Sequence, residues 1–488
     1  MRYLAFDLGA SGGKMFRADF DGNTLRMEEV HRFSNAPVRK DGKIYWDFDA
    51  IYGGLKEGLK KAASDGGDYM LGIDTFCNDF VLLDDSGKPM IPVRSYRDPR
   101  TERCQKKIYE KTPPETLYEK TGNQTALFNT YMQLASMRIE GEGDLLDSAD
   151  KLVFVPDYLI SLLTGKAECE YTLASVSQMY DIRKKAFDGD ILNAFGIRED
   201  IFPPVVAPGS VSGTLLPDVA EELGITGKVT VIHVCEHDTA SAFLGAVLSD
   251  SMILSSGTWS VLGVECDGPV ITRYGFVHNF ANEGSCAGHH RLLHNIMGSW
   301  ILQQIKSELE SEGEVLSHAD MAELAGKAEP FRYLIDVDDD SFYAPESMTD
   351  AVKNMCLEKY GSAPNDTGSI VRCVLESLAV RYALYASQLE KLTGEKYDKI
   401  NVIGGGARNG LLNKFTASAL GKPLTAGPYE ATALGNILVQ MMSAGEIGSI
   451  NEGRDIIKRS FEFEDLKPEC ESEWAENTEK FKDMYGVK

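Results

Sequence analysis

Two glycine turns constrain this chain more than any other feature. Asp7–Lys14 reads DLGASGGK, and Ser255–Gly263 reads SSGTWSVLG. Each follows a short apolar strand, Tyr3–Phe6 and Met252–Leu254. Each runs into a second strand, Met15–Phe20 and Trp259–Val264, rather than into a helix. Such a hairpin turn can offer backbone N–H groups to anionic oxygens. It can equally be a tight turn that wants glycine for its backbone angles. One copy does not separate these readings. Two copies predict two similar domains that grip one nucleotide from both sides.

Length agrees, because 488 residues exceed what a single core usually fills. The predicted domains are residues 1–248 and 249–450, followed by a charged tail, 451–488, expected to dock as a helix with a frayed end. The formal net charge of −24 excludes nucleic acid and anionic membrane as partners, since both need a basic face. It also repels anionic ligands, so phosphate binding must rest on backbone N–H groups, a metal ion and a few local cations. Nine cysteines are scattered without a CxxC pair, which predicts reduced thiols and a cytoplasmic location. Cys356 and Cys373 could pair across one loop, though a reducing compartment weighs against it. The first strand starts at residue 3, which leaves no room for a signal peptide. No run of 18 apolar residues exists to span a membrane.

The pattern along the chain is α/β and duplicated. Strands at Tyr3–Phe6, Lys14–Phe20 and Leu25–Phe33 precede a helix at Asp49–Ala63, with Ile51, Leu55 and Leu59 at helical spacing. A strand follows at Tyr69–Ile73, helices fill 101–195, and strand Val229–Val234 leads to helix Asp238–Val247. The second half opens with strands Met252–Leu254, Trp259–Val264 and Gly275–Ala281. It continues with helix Gly368–Leu392, strand Lys399–Ile403, helix Asn409–Leu420, strand Pro423–Ala426 and helix Ala431–Ser443. A three-stranded meander followed by alternating strands and helices occurs twice.

Several motifs carry chemistry, each beside a plainer use. In the first hairpin Asp7 could hold a metal-bound water and Lys14 could reach a phosphate. In the second, Gly257 and Thr258 could present an N–H and a hydroxyl, although Thr and Ser are ordinary turn residues. GGGARN, Gly404–Asn409, sits between a strand and a helix, where bare backbone admits a flat ring or a phosphate. A dinucleotide loop competes, but Asn409 stands where its third glycine belongs. In CEHDTASAF, Cys235–Phe243, Asp238 is either a helix N-cap or a general base for an attacking hydroxyl. The eight histidines show no metal spacing, so His237 reads as a substrate contact or packing residue. GIDTFCNDF (Gly72–Phe80) and YRDPRT (Tyr96–Thr101) suit a polyol ligand, or a capped turn and a surface salt bridge.

Taken together in order, DLGASGGK, GIDTxxxDFVLLD, YRDPRT, VPDYLISLLTG, HDTASAF, LSSGTWS, NEG with RLLHNIMGSWILQ, and GGGARNGLLN with AGPYEATALGN resemble the FGGY family of carbohydrate kinases. The resemblance covers about residues 1–445. It implies two ribonuclease-H-like domains of the actin/hexokinase superfamily flanking a central cleft, with ATP and Mg²⁺ as cofactors. By resemblance, Ala10, Ser11, Gly12, Gly13 and Lys14 match the first phosphate loop and Asp7 the magnesium-side acid. Gly257, Thr258, Gln303, Gly405, Gly406 and Asn409 fall on the nucleotide side. Asp238 matches the proton acceptor, and His237, Thr239 and Asn295 match sugar contacts.

The resemblance implies ATP-dependent phosphorylation of a ketose at its C1 hydroxyl, with L-rhamnulose foremost. L-Fuculose, L-ribulose and D-xylulose are rivals. The family's L-rhamnulose kinases usually read GIDTWGVDF, whereas Phe76, Cys77 and Asn78 stand here. Relatives place their sugar-reading pair at the positions of Cys77 and Asn78, so the sugar hangs on these two. A sensor without catalysis on the same fold, or a dinucleotide-dependent oxidoreductase resting on GGGARN, are readings of other classes. The family also implies a homodimer.

Overall fold

A computed structural model describes residues 2–486. The chain divides into two compact units that are not contiguous in sequence. The first comprises Met1–Gly245, Glu265–Leu292 and Ala431–Phe461; the second comprises Ala246–Val264, Leu293–Glu430 and Glu462–Lys488.

The first unit is built on strands β1 (Arg2–Gly9), β2 (Gly12–Phe20), β3 (Leu25–Ser34), β4 (Tyr69–Thr75) and β5 (Val229–Ile232). They lie in the order β5-β4-β1-β2-β3, with Val211–Thr214 on the β5 edge. β1, β2 and β3 are antiparallel, while β1, β4 and β5 are parallel. β4 is buried along its whole length, as expected for a strand covered on both faces. Helix α1 (Phe48–Ala62) packs Ile51, Leu55 and Leu59 inward, and the Asp47 side chain caps it by accepting from Ala50 N. Helices α2 (Tyr171–Val176) and α3 (Asp238–Leu244) carry residues used below.

A second sheet repeats the plan with β6 (Met252–Ser256), β7 (Ser260–Cys266), β8 (His290–Ile296), β9 (Ile400–Ile403) and β10 (Leu424–Ala426), all in the second unit except Glu265–Cys266 and His290–Leu292, which fall in the first. Their order is β8-β7-β6-β9-β10, again third-second-first-fourth-fifth, with Glu464–Leu466 added beside β10. β6 is antiparallel to β7 and parallel to β9. This shared order is the ribonuclease-H-like plan. The long helix α4 (Thr367–Thr393) starts at the Asp366 cap and ends at left-handed Gly394. Helix α5 (Gly410–Leu420) follows β9.

Helix α6 (Ala431–Ser443) marks a difference from the sequence expectation, which put 431–450 in the second domain. It packs in the first unit, through groups a hydropathy pattern does not display. Gln440 Nε2 donates to Leu4 O at 2.9 Å and to Asn436 Oδ1 at 2.7 Å. Gly435 lies so close to α3 that a Cβ there would sit 1.8 Å from Ser241 O. Gly275–Ala281 is not a strand. Thr272 caps a short helix, Arg273–Val277, and the strand comes later, at Ala281–Gly284. The segment 101–195 includes the strand Lys151–Phe154 among its helices. The tail holds two helices, Ile450–Ser460 and Glu471–Tyr485, with the expected frayed end partly outside the described residues.

Candidate active site

In the first unit the site begins at the β1–β2 turn. Gly9 pairs with Gly12, leaving Ala10 and Ser11 as a two-residue loop. Asn35 fastens it, its N–H donating to Ser11 O at 3.0 Å and its Nδ2 to Gly9 O at 3.3 Å. Gly12 and Gly13 have a packing reason of their own. A Cβ at Gly12 would lie 2.7 Å from Phe33 O, and one at Gly13 2.3 Å from the Phe33 ring. Asp7 pairs in register with Lys14 on β2 and with Asp74 on β4. Asp74 was not singled out from sequence, although it sits in GIDT. It is fully buried, accepts from Asn436 Nδ2 at 2.6 Å, and keeps a second oxygen, Oδ1, without a partner. Burial, then the nearby Asp7 charge, push its carboxyl well above the usual range. Two adjacent carboxylates, one with an orphaned oxygen, fit a divalent cation.

The β5 end delivers the second group. Thr75 N donates to Glu236 O at 2.8 Å, which aligns the Glu236–Asp238 segment with the end of β4. His237, not Asp238, is the N-cap residue of α3, and Asp238 is its first helical residue. Asp238 Oδ1 accepts from Thr239 N at 2.6 Å and from Thr239 Oγ1 at 3.2 Å. Thr239 therefore faces the base. The Asp238 side chain is 32% exposed, so a ligand hydroxyl can reach it. Burial pushes its carboxyl up to about 6 against the opposing hydrogen bonds from Thr239. His237 Nε2 lies 3.5 Å from Asp238 Oδ1 and its Nδ1 3.5 Å from Glu283 Oε2.

Cys77 and Asn78 join this group. Burial first, then the charges of Glu283 and Asp238, raise the Cys77 thiol. Asn78, expected to help read the sugar, turns its amide nitrogen inward. It is buried in a left-handed conformation, φ 77°, and its Nδ2 donates to Cys77 Sγ at 3.0 Å. Its Oδ1 is buried without a partner. Of the two, Cys77 is the partly exposed one.

Beneath Asp238 lies a buried network that the sequence reading missed because its members are distant in the chain. Asp157, His233 and Glu236 bring potential metal-binding atoms within 4.8 Å of one another. Both imidazole nitrogens are already engaged by carboxylates, Nδ1 with Glu236 at 2.6 Å and Nε2 with Glu168 at 2.9 Å. The imidazole thus offers no free nitrogen, while Glu236 Oε2 is buried without a partner. Glu170 ties it to α2, accepting from Thr172 N at 2.9 Å and from Thr172 Oγ1. Thr172 Oγ1 in turn accepts from His237 N at 3.2 Å.

In the second unit the predicted nucleotide residues come together in part. Gly257 and Thr258 lie in the β6–β7 turn. Thr258 Oγ1 donates to Gln303 Oε1 at 3.3 Å, and Gln303 Nε2 donates to Ser299 Oγ at 3.2 Å. Ser299 Oγ reaches Gly257 O at 2.5 Å, closing the loop. The glycine run packs against the same turn. A Cβ at Gly406 would sit 2.1 Å from Ser256 Oγ, whereas one at Gly405 meets nothing within 4 Å. Gly405 therefore borders open space. Asn409 instead works as a cap, its Oδ1 accepting from Leu412 N at 3.1 Å. Asn295, expected as a sugar contact, is a partly exposed β8 residue of the second unit. The nine cysteines are free, with Cys356 Sγ 3.8 Å from Cys373 Sγ. Among the described residues no helix is long and apolar enough to cross a membrane.

The chain resembles solved sugar kinases over its full length. A xylulose kinase from Lactobacillus acidophilus superposes with a TM-score of 0.83 at 15% identity, covering 100% of this chain and 98% of that one. A Plasmodium falciparum glycerol kinase solved with ADP gives 0.76 at 17% identity, covering 99% and 97%. These likenesses establish the fold. In sequence, the rhamnulokinase of Oceanobacillus iheyensis is 39% identical, covering 94% of this chain and 97% of its own. That of Bacteroides thetaiotaomicron is also 39% identical, covering 97% of each. The N-terminal domain of the FGGY family of carbohydrate kinases matches residues 2–245, and its C-terminal domain matches 252–444. With the hairpin repeated in both units and sequence matches spanning both, the chain belongs to the FGGY family of carbohydrate kinases and is a carbohydrate kinase.

Proposed function

We propose that the enzyme transfers the γ-phosphoryl group of ATP to the C1 hydroxyl of a ketose, L-rhamnulose foremost, giving the sugar 1-phosphate. The observation that carries this reading is Asp238, a reachable carboxylate held by Thr239 at the N-terminus of α3, with its carboxyl raised to about 6. The curated relatives at 39% identity, named rhamnulokinases, support the sugar.

In the proposed step the C1 oxygen attacks the γ-phosphorus in line, and Asp238 accepts the hydroxyl proton. The Thr239 N–H and hydroxyl fix the acceptor oxygen, so the carboxylate need not reorient. By the family resemblance the hairpin turns Ala10–Lys14 and Gly257–Thr258 bind phosphate oxygens, Gly405 borders space for the nucleoside, and Gly406 lets that loop pack on Ser256. Mg²⁺ would be held by Asp7 with Asp74 beside it, and supplies charge neutralisation on the phosphates. Asp238→Asn tests the role. Turnover should fall by about 10²–10⁴-fold with ATP binding retained, and near-wild-type turnover would remove Asp238 from the mechanism.

A second reading keeps the chemistry and changes the sugar, because Cys77 borders Asp238 with a side chain where relatives of the L-rhamnulose type carry glycine. A panel of L-rhamnulose, L-fuculose, L-ribulose and D-xylulose in an ADP-release assay separates the two. A cytoplasmic location and a homodimer belong to the same proposal. Its supports are the unbridged thiols and, for the dimer, the family resemblance; sedimentation reads the latter.

A further inference from the structure

Arg291 has no part in the proposed step, yet it is 0% exposed beside His237. Its Nη2 donates to His237 Nδ1 at 3.3 Å and pairs with Glu283 Oε2 at 2.8 Å, while its Nε donates to Gly284 O at 3.2 Å. A guanidinium has donors and no acceptor, so the nitrogen it faces must supply the lone pair. That leaves the imidazole proton on Nε2, the nitrogen 3.5 Å from Asp238 Oδ1.

We propose that Arg291 is a positioning residue that holds His237 as the neutral Nε2–H tautomer, with its one N–H directed at the place where Asp238 meets the substrate hydroxyl. A hydroxyl bound there meets an acceptor, Asp238, and a donor, His237, which together fix its orientation. The charged groups facing His237 are Asp238 on α3, Glu283 on the strand Ala281–Gly284, and Arg291 on β8. Glu283 lies 3.5 Å from Nδ1 and would favour the opposite tautomer, but it is ion-paired at 2.8 Å with the same Arg291 nitrogen that faces Nδ1 more closely, at 3.3 Å. A second proton on the ring would set a cation against Arg291. Burial, then that charge, hold the imidazole well below its usual pKa.

The inference rests on Asp238 as the acceptor, and its test does not. Enzyme labelled with ¹⁵N-histidine gives imidazole nitrogen shifts, and the His237 signals are those lost in His237→Asn. At pH 7 they should report a neutral ring protonated at Nε2. A ring protonated at Nδ1, or a doubly protonated ring, would overturn the proposal without any variant of Arg291. Arg291→Met should let the ring take up its second proton nearer pH 6.5, lower kcat/KM for the ketose about 10- to 100-fold, and change the KM for ATP less than threefold. Arg291→Lys, which keeps the cation, should recover at least part of that loss. An Arg291→Met enzyme with the wild-type tautomer and titration would also refute the proposal. Full activity of Asp238→Asn would instead sink the base assignment and leave the tautomer result standing.

Discussion

The Asp238 carboxylate is an expense to the folded state, and Asp238→Asn should reveal how large. An aspartate ordinarily titrates near 3.8, and the fold moves this one to about 6. A raised folded pKa means that the folded protein binds the proton more tightly than the unfolded chain does. The penalty is therefore absent below pH 3.8, grows between 3.8 and 6, and is full above 6. At about 1.4 kcal/mol per pH unit, a shift of about two units gives nearly 3 kcal/mol. The side chain is 32% exposed, so solvent screening cuts this to about 1–2 kcal/mol. Asparagine keeps an oxygen for the Thr239 N–H at 2.6 Å and carries no charge. The variant should thus be about 1–2 kcal/mol more stable than the wild type at pH 8, and the gap should shrink by about half at pH 5. Urea unfolding at the two pH values, followed by intrinsic fluorescence, measures it. A variant less stable at pH 8, or a gap independent of pH, would refute the argument that burial strains this group. A variant that is more stable and almost inactive would show stability given up for chemistry.

Other expectations are simpler to read. The rate should fall on the acid side with a midpoint near pH 6, because only ionised Asp238 accepts a proton; a flat profile down to pH 5 would contradict this. Gly406→Ala should raise the KM for ATP about tenfold or more, since the new Cβ would collide with Ser256 at the β6–β7 turn; unchanged ATP kinetics would free that loop from nucleotide binding. Asn78→Val should lose about 1–3 kcal/mol through its left-handed backbone, while Asn78→Gly keeps most of the stability. Equal melting temperatures for the two variants would show that the backbone at 78 relaxes.

The sequence carried the duplicated plan because it lies in local patterns. Turns at Gly9–Gly12 and Gly257, apolar runs in β1 and β6, and the 3.6-residue spacing of Ile51, Leu55 and Leu59 need no distant partner. The place of Asp238 at the start of α3 was legible for the same reason, following β5 closely in the chain. One miss is a local cap and the others are long-range. Arg273–Val277 is helical because Thr272 caps it, against a run that reads as a strand. Asp157, Glu170 and His233 meet only after the chain has folded. The place of α6 is set by Asn436 and Gln440, two polar side chains on a largely apolar helix. Gly12 and Gly13 show the hazard in motif reading. Their lack of side chains is already required by Phe33, so glycine there is no sign of phosphate by itself.

Helix α6 also bears on how the protein is made. During synthesis the ribosome releases β1, β4 and α3 long before residues 431–461, which complete the same unit. Until then Leu4 O and Asp74 lack Gln440 and Asn436, and the face of α3 against which Gly435 packs stays open. The first unit cannot finish folding as an N-terminal domain emerging alone. Its nascent form must wait for nearly the whole second unit to be translated, so a chain cut after residue 245 should be a client for chaperones rather than a stable domain.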